Sequence, residues 1–141
     1  MNSLPNHKSF IFNDQINTES ISALYGDDYV YMEEVFETVL KEYTTLSDRI
    51  IASHAAKDIA ALKAAVHKIK PIFGFVGLNE VQEQCQSFEN TCQTANSFEG
   101  IDIDYVPLRT NLINSKSLIE EEKRKLERFN RQQSWRSHVL L

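Results

Sequence analysis

The sequence predicts an all-α protein: an antiparallel up-down four-helix bundle with an additional short N-terminal helix and an arm before it. Three observations carry that prediction. Apolar residues recur alternately three and four apart through four long segments, the spacing of helices that each bury one face. No segment alternates apolar and polar residues over a strand's length; Ile101 to Val106 comes nearest and is too short. Only four Gly and three Pro punctuate 141 residues, so helices run long and loops short.

Taken in order, residues 1–16 read as an irregular arm in which Phe10, Ile11, Phe12 and Ile16 pack over one end of the bundle. Asn17 or Thr18 is placed to cap a short helix, TESISALY, that Gly26 closes. Asp27 then reads as a new cap, and a long helix runs from Tyr29 to about His54. Its inward face is Val35, Phe36, Val39, Leu40, Tyr43, Leu46, Ile50 and Ile51, and its acidic start (Asp27, Asp28, Glu33, Glu34) complements the helix dipole. Ser53 to Lys57 forms the turn, and Asp58 caps the central helix.

That central stretch, DIAALKAAVHKIKPIFGFVG (58–77), buries a seam of Ile59, Leu62, Val66, Ile69, Phe73 and Val76. Pro71 lies inside it and cannot donate to the carbonyl of His67, a defect costing about 3 kcal/mol in a helix interior. Two consequences stay open: a kink that tilts the imidazole outward, or a bend that follows the bundle. Leu78, Val81, Cys85, Phe88 and Cys92 mark the next helix, to about Ala95. Asn96 to Asp104 reads as a loop around Gly100, and Asp104 or Tyr105 opens a last helix with Pro107 in its first turn. Leu108, Leu112, Ile119, Leu126 and Phe129 form its buried face, while Glu120 to Arg128 reads as a solvated, charged face. The domain plan is an arm over 1–16, a bundle over 17–130 and a tail over 131–141 carrying Trp135.

Composition narrows the function. The length fits one domain that buries about two-thirds of its unfolded surface. A net charge of −5 argues against a general nucleic-acid binder, which needs a basic face. No apolar run approaches the roughly 20 residues that span a bilayer, and MNSLPNHKSFIFND has no signal-peptide pattern. Cys85 and Cys92, two turns apart on one helix, lie about 10 Å apart along its axis, beyond disulfide reach. Free core thiols fit a reducing interior, so the expected location is cytoplasmic.

One stripe of the central helix carries chemistry. Residues three, four and seven apart share a helix face, so Lys63, His67, Lys70 and Gly74 are neighbours just off the buried seam. A neutral imidazole keeps one ring nitrogen lone pair for attack. Lysines alongside disfavour its protonated form and attract an anion such as a phosphoryl group. Lys70, expected to be exposed, has the best placement; Lys63 and Lys68 add general positive potential. Gly74 opens the surface to close approach. Spacing alone leaves this reading beside a blander one, a solvated helix edge on which a histidine falls. His7, His54 and His138 read as surface residues, and no second His stands at a metal-pair spacing from His67.

The run A-x-V-H-K-I-K-P-I-F-G-F-V-G-L, containing His67, Lys70 and Gly77, resembles the signature of histidine-containing phosphotransfer (HPt) domains. Gly26-Asp27-Asp28 before the first bundle helix, Asp58 nine residues before His67, and Cys85-Gln-Ser-Phe88-Glu89 on the next helix are similar to that family too. The resemblance covers roughly residues 20 to 95. It implies a phosphorelay intermediate in two-component signalling, a phosphohistidine carrier rather than a classical enzyme, with no ATP-dependent kinase activity. His67 would take a phosphoryl group from the aspartyl phosphate of a receiver domain and pass it to another receiver. Lys70 would steady the phosphoryl oxygens, Glu89 would hydrogen-bond the imidazole, and Gly77 would permit tight packing at the helix end. The resemblance implies no bound cofactor or metal in this chain, with Mg²⁺ in the partner receiver, and partners that are receivers of response regulators or hybrid kinases; charge and hydropathy give no nucleic-acid or membrane partner, and a monomer is expected. Most family members have Gly after the Lys, where this chain has Pro71. An alternative is a helical interaction module that binds a receiver or kinase without being phosphorylated.

Overall fold

The computed structural model describes residues 10–140, and for 136–140 the backbone alone. It contains helices α1 (Thr18–Tyr25), α2 (Tyr29–Ala55), α3 (Ile59–Phe75), α4 (Asn79–Thr94) and α5 (Glu99–Leu140). α2 packs on α3 and α5, and α4 packs on the same two, while among the described residues the backbones of the diagonal pairs stay apart across the core. That closed ring is the four-helix bundle, with α1 laid across α2 and α3. Among the described residues no helix is long and apolar enough to cross a membrane.

The local signals that start and stop helices act as the residue types dictate. The side chains of Asn17, Asp28 and Asp58 each accept from the amide three residues on, of Ser20, Tyr31 and Ala61. The cap of α2 is thus Asp28 rather than Asp27. α3 ends where Gly77, at φ +76°, turns the chain left-handed, and the amide of Leu78 reaches back to the carbonyl of Phe73 at 2.8 Å.

The core is the set of seams brought together. Leu62, Val66, Ile69 and Phe73 of α3 are wholly buried against Phe36, Tyr43 and Ile50 of α2, Cys85 and Phe88 of α4, and Leu108, Leu112 and Ile119 of α5. Tyr43 satisfies its buried hydroxyl by donating to the carbonyl of Leu112 at 2.6 Å. Ile51, expected inward, is exposed, and Met32 takes a buried place on α2. Cys85 and Cys92 are free and buried, and burial pushes the Cys85 thiol up to about 12.

α5 departs from expectation at its start. It begins at Glu99, so the connection is short and Pro107 lies eight residues inside the helix. The seam Ile101, Tyr105, Leu108, Leu112 is buried from its first member, and that burial holds the early turns helical. Pro107 and its neighbours Ile103 and Val106 face solvent, where water can satisfy the carbonyl that Pro107 leaves free. At the other end α5 continues past Asn130, which donates to the carbonyl of Tyr29 and to Glu33, through the tail segment to Leu140.

The arm packs as an aromatic plug, though not with every residue expected. Phe12 and Ile16 are buried and Phe10 partly so, while Ile11 points to solvent. Phe10 meets Phe12 and Phe129 edge to face at 4.7 and 5.7 Å. Glu122, placed by sequence on a solvated face, is buried instead. Its carboxylate accepts from the amide of Asn13 at 2.8 Å and pairs with Lys125 at 2.9 Å, fastening the arm to α5. The arm's first nine residues, His7 among them, lie outside the described residues, as does the side chain of His138. His54 is not a free surface residue either: its ring stacks on Tyr105 at 3.6 Å and bonds Asp102 at 2.6 Å, tying the end of α2 to the start of α5.

Candidate functional site

His67 sits mid-way along α3 with its side chain 69% exposed. It escapes burial because Val66 and Ile69 on either side carry the seam inward. Its Nδ1 lies 2.8 Å from Oε1 of Glu89 on α4, a carboxylate whose side chain is only 7% exposed. A carboxylate only accepts, so in the neutral ring Nδ1 carries the proton and Nε2 carries the lone pair. Nε2 has no hydrogen-bond partner among the described residues. An exposed ring with its inner nitrogen anchored and its outer one available is suited to nucleophilic attack on an electrophile arriving from solvent.

Glu89 is shared. Its Oε2 lies 2.8 Å from Nζ of Lys70, which also donates to Oε1 of Gln86 at 2.7 Å and stands 3.5 Å from Nδ1 of His67. Burial works to raise the Glu89 carboxyl, but the hydrogen bonds and charges of Lys70 and His67 outweigh it and hold the group below the usual carboxylate range. Lys70 is therefore not the exposed side chain expected from sequence: at 19% exposure it is folded down onto α4. The reason is the buried carboxylate beside it, whose one Lys or Arg partner among the described residues is Lys70.

The other predicted residues fall on the same stripe with different surroundings. Lys63 donates to Gln93 of α4 rather than standing free. The space at Gly74 is filled by the amide end of Gln82, 2.8 Å from where a Cβ would lie, so that space is occupied from within the protein. Gly77 is buried, and a Cβ there would sit 2.8 Å from methyl and methylene groups of Ile16 and Ile21.

Gln82, Gln86 and Gln93 were missing from the sequence-based site. With Glu89 they form a row on α4 that faces Gly74, Lys70, His67 and Lys63 in reverse order. The signal was present in the numbering: 82, 86, 89, 93 steps by four, three and four, as does 63, 67, 70, 74. Two antiparallel stripes of equal period zip together only when the helices are in register. On the opposite side of His67, Lys68 and Pro71 line a groove toward α2 with Lys41, Arg49, Ile72 and Phe75. It adjoins an apolar hollow floored by Ile72 and edged by Leu24, Tyr31 and Phe75. Among the described residues no group of three or more His, Cys, Asp or Glu is placed to hold a metal ion.

Comparison with known proteins bears on the family and the fold. A family model described as Hpt domain matches residues 32–114. Among solved structures, the chain is similar to the HPT domain from the Hpt sensor hybrid histidine kinase of Shewanella, at 16% identity and a TM-score of 0.66. The match covers 76% of this chain and 92% of that one, and at that identity it speaks for the fold. No curated protein matches the chain. The family match spans more than half of the sequence, so the chain belongs to the Hpt domain family, with a histidine phosphotransfer role in two-component phosphorelay signalling.

Proposed function

We propose that His67 carries the phosphoryl group, taking it from the aspartyl phosphate of one receiver domain and giving it to the aspartate of another. The observation that supports this reading is the contact of His67 Nδ1 with buried Glu89, which leaves Nε2 as the nucleophile on an exposed ring. In the accepting step the Nε2 lone pair forms the N–P bond while the aspartyl P–O bond breaks and the carboxylate leaves. Nδ1 keeps its proton, so the phosphorylated ring is an imidazolium, and the charge of Glu89 offsets it. The Mg²⁺ that neutralises the moving group sits in the receiver, whose own carboxylates hold it.

The surroundings fit that visitor. Leu24, Tyr31 and Phe75 are each about half exposed, and Phe75 is shared with the groove that holds Lys41, Arg49 and Lys68. The apolar patch has Glu34 and Glu42 along one edge and Lys41, Arg49 and Lys68 along the edge beside Pro71, and that cationic edge suits a partner surface centred on a cluster of carboxylates. Pro71 belongs to that rim and adds little bulk.

Incubation with a panel of phosphorylated receivers and Mg²⁺ tests the reading. Wild type gains acid-labile phosphate and His67→Gln does not; equal labelling of His67→Gln refutes the assignment. A wild type that is never labelled, while His67→Ala still binds a receiver, replaces it with the non-phosphorylated interaction module.

A further inference from the structure

The site holds its nearest cation on the wrong side of the ring for a phosphoryl group. Nζ of Lys70 faces Nδ1 of His67, at 3.5 Å, while the group would arrive at Nε2. Two groups of α4 keep it there: Oε2 of Glu89, an ion pair at 2.8 Å, and Oε1 of Gln86, which accepts a hydrogen bond at 2.7 Å. Gln86 is in turn oriented by donating from its Nε2 to Oδ1 of Asn90 at 3.1 Å, which turns its oxygen toward Lys70. The Lys70 ammonium is thus held between a carboxylate and an amide oxygen before any phosphoryl oxygen reaches it.

From these contacts we infer that Gln86 is a positioning residue that holds Lys70 back, and so sets how much phosphohistidine accumulates. The inference rests on His67 being the phosphoacceptor. When Nε2 is phosphorylated, the new oxygens compete with Glu89 and Gln86 for the ammonium. Glu89 cannot surrender it cheaply, because its carboxylate is buried and its remaining partner is the ring. Gln86 is exposed, so water can replace the ammonium at its oxygen. It is the adjustable member of the pair. Weakening its hold frees Lys70 toward the phosphoryl group and favours the phosphorylated state; strengthening it does the opposite.

The prediction is a pair of opposite effects from one position. Gln86→Leu removes the acceptor, and Gln86→Glu supplies a second carboxylate. Both changes are at an exposed helix position, so the fold is retained. Phosphoramidate serves as the probe, since it needs no partner protein: the P–N bond of its N-protonated form breaks, the bonding pair leaves on ammonia, which takes a proton from solvent to become ammonium, and the Nε2 lone pair forms the N–P bond. At fixed phosphoramidate and ammonium concentrations, ³¹P NMR reads the ratio of phosphorylated to free His67. Gln86→Leu raises that ratio about three- to tenfold and Gln86→Glu lowers it by a similar factor. Each substitution is repeated in a Lys70→Ala background, where Gln86→Leu has no effect and any residual drop with Gln86→Glu is direct charge repulsion.

Equal effects of Gln86→Leu with and without Lys70, or no effect at all in the presence of Lys70, overturn the inference while leaving the carrier role of His67 intact. Absence of any phosphoramidate label that His67→Gln abolishes overturns the carrier role, and the Gln86 inference with it. Ring ¹⁵N shifts that keep Nδ1 protonated in every variant exclude a tautomer change as the cause.

Discussion

Gly77→Ala separates backbone strain from packing at the end of α3. Gly77 has φ +76°, where an L residue costs about 1 kcal/mol. Its Cβ would also lie 2.8 Å from Cγ2 of Ile16 and Cγ1 of Ile21, both buried, and 3.2 Å from the carbonyl oxygen of Asn17. None of these is a loose end: the isoleucines are core residues, and the amide of Asn17 is bonded to the carbonyl of Gly77 at 2.8 Å. Overpacking of this kind costs about 1–3 kcal/mol. The expected loss is therefore about 2–4 kcal/mol, or about 10 °C in Tm for a domain of this size. Gly26→Ala isolates backbone strain: nothing lies within 4 Å of the added carbon, and at φ +63° and ψ −127°, outside the left-handed helical region, an L residue costs about 1–3 kcal/mol. Gly74→Ala completes the series: its backbone is helical, only the flexible end of Gln82 must move, and helix propensity favours Ala by about 0.5–1 kcal/mol. Urea unfolding followed by circular dichroism gives all three values. Gly77→Ala costing less than about 1 kcal/mol, or Gly74→Ala as harmful as Gly77→Ala, refutes this account of the helix end.

Two further predictions concern buried carboxylates. Glu89 is held below the usual carboxylate range, so its contribution to stability is full above the unfolded value of about 4.3 and is lost as pH falls through the lower folded value. The stability gap between wild type and Glu89→Gln is accordingly widest near neutrality and shrinks on acidification below about pH 4; a gap that grows in acid refutes the assignment of its charge. Glu122→Ala removes the acceptor for the amide of Asn13, and hydrogen exchange at that amide speeds up by at least about tenfold, while the amides of α3 are slowed as in wild type. Unchanged exchange at Asn13 shows that the aromatic contacts alone hold the arm.

Much of the site was legible because a helix converts numbering into direction. Leu62, Val66, Ile69 and Phe73 had to face inward together, and that placed His67 outward without reference to any other helix. The start of α5 was misread because Gly100 and Pro107 are local stop signals, whereas the burial of Ile101 and Tyr105 that overrides them comes from α2 and α4. Glu122 and His54 were misplaced for a related reason. A charged block and a histidine near a helix end look solvated until an arm and a facing Asp102 are brought to them.

The linear order of residues by itself determined the all-helical class, the buried seams, the caps at Asn17 and Asp58, and an imidazole turned to water among lysines. These depend on repeats of three and four residues along one chain segment. Only the tertiary structure decided that Glu89 anchors Nδ1, that Lys70 lies folded against Glu89 and Gln86, and that Gln82 fills the space at Gly74. Each of those pairings needs the axial register of α4 against α3. A shift of one residue, about 1.5 Å of rise and about 100° of rotation, would break them while leaving every helix intact.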